Sequence, residues 1–438
     1  MQKKLITLAA LTMTAPAAVM AEATLYGRLN ASIDYADVKN AIGTNYVTDG
    51  DGRRMVDANG NPITTGGQNF EGWGIASQGQ YIPGEGRANR IGVKGSEDLG
   101  NGLKAVYQIE LGLELGAQDN NVLSGADRIS YRNTFVGLAG DFGTVLVGRH
   151  DTPLKISTGR LDLFADTMAD YNGTVGFDDR RADNVIAYIS PNFSGFSFAG
   201  AIVAGGGATG GSGVNINSDS LAGAWSLAGI YSNGPFYGSV AYESLDKDMF
   251  MDSATSLAGS SACINPDGTR TLSCNYIGDS YDKWRIGLGL LDFNGFTLTG
   301  LWERQENLPA GQRRTALTTI RPDGTIEVGS ASPFEKQDLW QIQAAYAFGN
   351  NTVKAMYGSV DRGDSKVLGR TRDTISLNNL ERDLKGNRYT WAIGFDHNFS
   401  RRTKAYVLYT QVDDDLNGVP EYAGIEWDGF SAGVIHSF

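Results

Sequence analysis

Alternation dominates this chain. Leu25, Gly27, Leu29, Ala31, Ile33 and Tyr35 share one face of an extended segment, while Tyr26, Arg28, Asn30, Ser32 and Asp34 share the other. Successive strand side chains point to opposite sides of a sheet, so the first face suits lipid and the second water. The same period sets Trp340, Ile342, Ala344, Tyr346 and Phe348 against Gln341 and Gln343, and Tyr389, Trp391, Ile393 and Phe395 against Arg388, Thr390 and Asp396. Aromatics fall near the segment ends, where a membrane barrel carries its interfacial girdles. A soluble β-sandwich also alternates, but has no need of so many aromatics on the apolar face. The last segment sets Phe430, Ala432, Val434, His436 and Phe438 against Ser431, Gly433, Ile435 and Ser437. A strand running to Phe438 is expected to pair with the first and close the barrel, which removes the exposed edge. His436 then reads as a residue of the aromatic belt.

The breaks between segments alternate in length. Short, turn-rich breaks occur at LGNG (99 to 102), GDFG (140 to 143), PNFSG (191 to 195), SNGP (232 to 235), DFNG (292 to 295), GNN (349 to 351) and NFSRR (398 to 402). Long polar segments lie at about 38 to 87, 117 to 129, 151 to 182, 204 to 219, 246 to 280, 304 to 337, 361 to 387 and 413 to 428. Seven turns and eight loops connect 16 strands. The fold class expected is all-β, a 16-stranded antiparallel transmembrane barrel with short periplasmic turns, long external loops and both termini periplasmic.

Composition agrees, because 58 Gly and 37 Tyr plus Phe with only 11 Pro disfavour helices. Lys3 and Lys4 precede an apolar, small-residue stretch closing at Val19-Met20-Ala21, which reads as a signal peptide over 1 to 21. No later stretch approaches ~18 consecutive apolar residues, so strands must do any spanning. Removing residues 1 to 21 takes away two Lys and no acid, so the formal net charge moves from −12 to −14. That argues against nucleic acid as a partner. No linker divides residues 22 to 438, which read as one barrel.

The motifs resemble the trimeric general porins of the Gram-negative outer membrane. TLYGR (24 to 28) is similar to that family's first strand, NRIGVKGSEDLGNGLKAVYQIE (89 to 110) to its second and third, and TFVGLAGDFGTVLVGRH (134 to 150) to its fourth and fifth. The long segments 38 to 87 and 246 to 280 match no pattern. The resemblance implies an outer-membrane homotrimer, in contact with lipid and lipopolysaccharide, that passes ions and small hydrophilic solutes by passive diffusion. It also implies that the third loop, 151 to 182, folds inward as a constriction. Counting on from Gly148-Arg149 places Asp162 and Asp166 where the family keeps its constriction acids. Arg28, Arg90, Arg132 and Arg181 fall where it keeps its basic wall. Alternation independently turns Arg28, Arg90 and Lys94 to the lumen, but it is indistinct at Arg132 and Arg181. Asp170, Asp178, Asp179, Arg149 and Arg180 read as solvated or structural charges. Opposite charges held apart across a wet pore create a transverse field that orients dipolar solutes. Ordinary solvated lumen charge is the alternative reading.

Cys263 and Cys274 share one loop around Pro266, Asp267 and Gly268, and a disulfide is expected in an oxidising compartment. Closing so short a loop is worth about 3 kcal/mol at most. An enzyme would need a nucleophile beside a base. Only His150, His397 and His436 are present, and no Ser-centred elbow, cofactor motif or metal triad accompanies them. A substrate-specific channel is the nearer alternative, since the long first, fifth and sixth loops could narrow the entrance. The sign of ion selectivity stays open, because a charge of −14 opposes four constriction Arg facing two acids.

Overall fold

A computed structural model describes residues 22–42, 68–75, 88–113, 115, 129–204, 221–245, 280–308, 334–362, 386–415 and 426–438, with short strands at 45–46, 64–65, 263–264, 270–271, 317–320, 326–330, 365–372 and 377–384. The expected signal segment 1–21 and the Cys263–Cys274 bridge lie outside what is described. The barrel strands are β1 (Glu22–Ile42), β2 (Arg90–Gly100), β3 (Leu103–Leu113), β4 (Ile129–Gly140), β5 (Gly143–Asp151), β6 (Arg181–Ile189), β7 (Phe196–Val203) and β8 (Ala224–Asn233). They continue as β9 (Phe236–Leu245), β10 (Tyr281–Phe293), β11 (Phe296–Leu308), β12 (Phe334–Phe348), β13 (Asn351–Asp361), β14 (Arg388–Asn398), β15 (Thr403–Asp414) and β16 (Trp427–Ser437). Each is antiparallel to its sequence neighbour. The first and last strands pair from Arg28↔Ser437 to Val38↔Trp427, which closes the wall. Phe438 and Gly27 exchange backbone hydrogen bonds of 3.0 Å in both directions.

All seven short breaks are turns at one end of the barrel. At the first, Asn101 and Gly102 take φ of 54° and 78°, the paired left-handed conformation that matches the twist of flanking strands. Alternation holds with the expected polarity: Ile342 is 52% exposed while Gln341 and Gln343 are fully buried. Aromatics ring both ends. Tyr242 meets Trp225 and Trp284 at 4.9 and 4.4 Å near the long-loop end, and Phe296 meets Tyr346 at 4.4 Å near the turns.

The first long loop differs from expectation. Part of it, Gln68–Ile75, is a strand that pairs with the upper half of β1, Ile33↔Ile75 to Ile42↔Gln68, while β2 pairs with the lower half, Glu22↔Ser96 to Arg28↔Arg90. One wall position is thus filled by two separate stretches of chain. The tips of the sixth and seventh loops also join, as strands Leu317–Ile320, Ile326–Ser330, Ser365–Arg372 and Leu377–Leu384 of one small sheet.

The core lies inside the barrel, beneath the third loop. Asp151 and Arg181 pair as strand residues, so the inserted segment is 152 to 180 rather than 151 to 182. It carries helices α1 (Pro153–Thr158), capped by the Thr152 hydroxyl, and α2 (Tyr171–Thr174), capped by Asp170. Leu161, Tyr171, Val175 and Phe177 pack on Tyr237, Leu301, Leu339 and Val360. Phe164 and Met168 pack on Met356, Ala392, Leu408 and Trp427. The wall makes room with lumen-facing glycine. A Cβ at Gly358 would stand 2.7 Å from Val175, and one at Gly429 would stand 2.6 Å from Met168.

Candidate constriction site

Two β-bulges shape the wall that the loop leaves uncovered. The register of β3 and β4 shifts between Ile109 and Leu111, so Glu110 faces both Arg132 and Asn133. A second shift, between Gly148 and His150, falls in the β5–β6 pairing. Bulges re-aim side chains that strict alternation would send outward. Here they set Arg132 and Asn133, adjacent in sequence, both toward the lumen.

The result is a circumferential row of charge. Arg28 and Arg90 are paired across β1 and β2. The Nε of Arg132 donates to Oε1 of Glu110 at 2.6 Å, and Arg90 lies 3.8 Å from the same carboxylate. Tyr26 donates its hydroxyl to Glu110 at 2.8 Å. Further round, Arg181 reaches Asp151 at 2.9 Å, and its Nε donates to Asn133 Oδ1 at 2.7 Å. Lys155 of α1 joins Asp151 at 3.2 Å. Thus all four expected arginines stand in one row, interleaved with two acids, Glu110 and Asp151, that the sequence reading did not single out.

The two loop acids part ways. Asp166 meets the row: its carboxylate is 2.7 Å from Arg28 and 3.8 Å from Arg90. It occupies a left-handed backbone conformation, φ 60°, which an Asp tolerates better than most residues. The turn is fixed because Asp166 N–H donates to Asp170 and Asn30 Nδ2 donates to the Asp166 carbonyl, at 2.8 and 2.7 Å.

Asp162 does not face the arginines. It is buried against the opposite wall, where Oδ1 accepts from Phe164 N–H and Gln343 Nε2 at 2.9 and 3.0 Å. The physical reason is that the loop needs a local acceptor where it turns onto the wall. Burial pushes this loop carboxyl up to about 6, against the hydrogen bonds that favour its anion. The folded value therefore exceeds the unfolded one, so its contribution is fully present below about pH 4 and is lost as pH rises through about 6. An unfolding midpoint that falls between pH 4 and 6 in wild type, and falls less steeply there in Asp162→Asn, is the expected outcome. Equal slopes in the two proteins would sink it.

Other loop charges hold the insert in place. Asp178 takes Lys283 at 3.2 Å and Arg180 at 2.7 Å. Asp179 takes Arg285 and accepts the Tyr171 hydroxyl at 2.7 Å. Lys283, Arg285 and Glu303 are themselves fully buried. Alternation alone could have found them, since Lys283 and Arg285 flank the lipid-facing Trp284. Arg149 pairs with Asp183 at 2.6 Å. His150 Nδ1 lies 2.8 Å from the Asp151 carbonyl with its ring against Phe135, and His436 lies 2.9 Å from the Thr403 hydroxyl. Both serve the wall. Among the described residues, no three of His, Cys, Asp and Glu gather as a metal set.

A family model described as Gram-negative porin matches residues 7–417. The major outer membrane protein P.IB of Neisseria meningitidis serogroup B is 33% identical over 199 residues, covering 45% of this chain and 48% of that one. P.IA of serogroup C is 43% identical over 110 residues, 24% and 26% of the two chains. The alignments thus span about half the length of these relatives or less. Among solved structures, the anion-selective porin of Comamonas acidovorans superimposes with a TM-score of 0.56 at 21% identity, over 96% of this chain and all of that one. Salmonella typhi OmpF, in complex with daunomycin, gives 0.55 at 14%, over 95% and 98%. At such identities the superpositions speak for the fold alone. Closed barrel, inward loop and charged row are all in place, and the family match runs through nearly all of them: this chain belongs to the Gram-negative porin family and is an outer-membrane β-barrel.

Proposed function

We propose that the chain forms a water-filled outer-membrane channel through which ions and small hydrophilic solutes diffuse passively, with a constriction that favours anions and no catalytic step. The observation that carries this reading is the asymmetry of the lumen. The inserted loop adds one acid, Asp166, to a row in which four arginines and Lys155 already stand with Glu110 and Asp151, so five cations stand against three carboxylates. A narrow wet passage with unbalanced fixed cations enriches anions and orients dipolar solutes. Homotrimeric assembly, contact with lipopolysaccharide and periplasmic termini follow from family membership and belong to the same proposal.

The test is the zero-current potential of the refolded protein in a planar bilayer under a KCl gradient. Ohmic steps with chloride preference are expected, and Asp166→Asn should strengthen that preference. An unchanged potential in the variant would remove Asp166 from the constriction. Absence of ohmic steps from a folded barrel would refute the channel.

A further inference from the structure

On the turn side of the arginine row, the lumenal wall of β1–β6 holds a recess of about 540 Å³. The strand register says how it is built. Thr24, Lys94, Gln108 and Phe135 are successive cross-strand partners, so they form one row. Val106, Gly137 and Leu146 form the next row toward the turns. Gly137 lets the β5 backbone approach closely, since a Cβ there would collide with the Val145 carbonyl, and Phe135 stands at the upper rim.

The two ends of the recess differ in chemistry. Phe135, Val106 and Ile189 give one side an apolar surface, with the buried Leu146 packed beneath Phe135 and Ile189. On the other, the exposed Lys94 ammonium lies 5.2 Å over the Tyr26 ring, and no described carboxylate pairs with it. Beside it, Gln108 Nε2 donates to the Tyr26 hydroxyl at 2.9 Å. Lys94 and Phe135 stand two strands apart, about 10 Å between backbones. Glu22, the acid among the lining residues, stands two positions along β1 from Thr24, toward the turns and away from the arginine row.

A surface that water wets poorly, bounded by an unpaired cation, matches an anion with an apolar body. From this juxtaposition we infer that the recess is a binding subsite for small aromatic monocarboxylates, the carboxylate on Lys94 and the ring on Phe135 and Val106. Its volume is that of an ordinary small-molecule site, which is mostly apolar with a few placed polar groups. The subsite rests on the lumen being open to solutes, the reading proposed above. It gives an aromatic acid a resting place next to the arginine row, and so a longer stay than acetate of equal charge.

Equilibrium dialysis of the refolded full-length protein against labelled phenylacetate, acetate and benzyl alcohol decides it. Phenylacetate should bind about tenfold more tightly than either of the others, since each lacks one half of the match. Phe135→Ser and Lys94→Gln should each weaken phenylacetate by a similar factor, and Phe135→Leu should keep most of the affinity. Lys94 is exposed, so its variant tests the site even if Phe135→Ser folds poorly. Equal binding of acetate and phenylacetate would overturn the subsite. So would weakening by Arg90→Gln but not by Lys94→Gln, which would move the anion to the arginine row. Single-channel recordings on the same samples test the open lumen separately, because loss of ohmic steps would count against the channel and leave the dialysis result standing.

Discussion

Replacing Arg90 and Arg132 together with glutamine is expected to turn the channel from anion to cation preference. Both side chains lie on Glu110, at 3.8 and 2.6 Å, and among the described residues that carboxylate is otherwise held only by the Tyr26 hydroxyl. Removing two cations therefore also uncovers an anion at the same height. In water, unit charges 4 Å apart interact by about 1 kcal/mol, and by roughly half that at twice the distance. Two charges acting oppositely on potassium and chloride then shift the permeability ratio on the order of tenfold. The zero-current potential in a KCl gradient should change sign at 0.1 M, where the screening length is about 10 Å, and less at 1 M, where it is about 3 Å. A double variant that still prefers chloride at low salt would show that the selectivity lies elsewhere. Glutamine keeps a donor near Glu110, so loss of folding is not the expected complication.

Arg285→Ala is expected to be the most damaging single change to stability. Its guanidinium binds Glu303 and Asp179 and donates to the Thr158 hydroxyl at 2.9 Å, so it ties β10 and β11 to both ends of the inserted loop. Arg285 and Glu303 have no exposed surface. Deleting one partner of a buried pair leaves the other charge without compensation, which costs about 3 to 5 kcal/mol. Urea unfolding should show a loss of that size, and single-channel conductance should rise as the loop leaves the wall. Replacing Arg285 with Met and Glu303 with Leu together should cost much less, since an apolar pair of similar volume avoids the desolvation of both ions. If the single and double variants lose the same stability, the loss comes from packing and not from stranded charge.

The same physics explains what could be read in advance. Nothing local marks Gly358 and Gly429 as seats for Val175 and Met168. Arg28 and Arg90 were assigned to the lumen because β1 and the start of β2 alternate without interruption. Arg132 and Arg181 resisted that reading because each adjoins a bulge, and a bulge depends on how two strands pair. Asp162 and Asp166 are four residues apart with the same chemistry. Only the course of the loop across the lumen decided that one would meet Gln343 and the other Arg28. The first loop misled for a related reason: its polar composition concealed Gln68–Ile75, a strand short enough to need β1 as a template.

By itself, the sequence determined the barrel. Side chains alternate with period two, and a wall between lipid and water sorts them by polarity alone, so strand number, turn positions and the closing pair of strands follow from local pattern. The tertiary structure decided the pore. Where the loop crosses, which carboxylate faces which guanidinium, and which charges are buried depend on contacts between residues as far apart as Asn30 and Tyr406 or Asp34 and Ser431. Such contacts are set by register and bulges around a closed ring, and no window of the chain contains them.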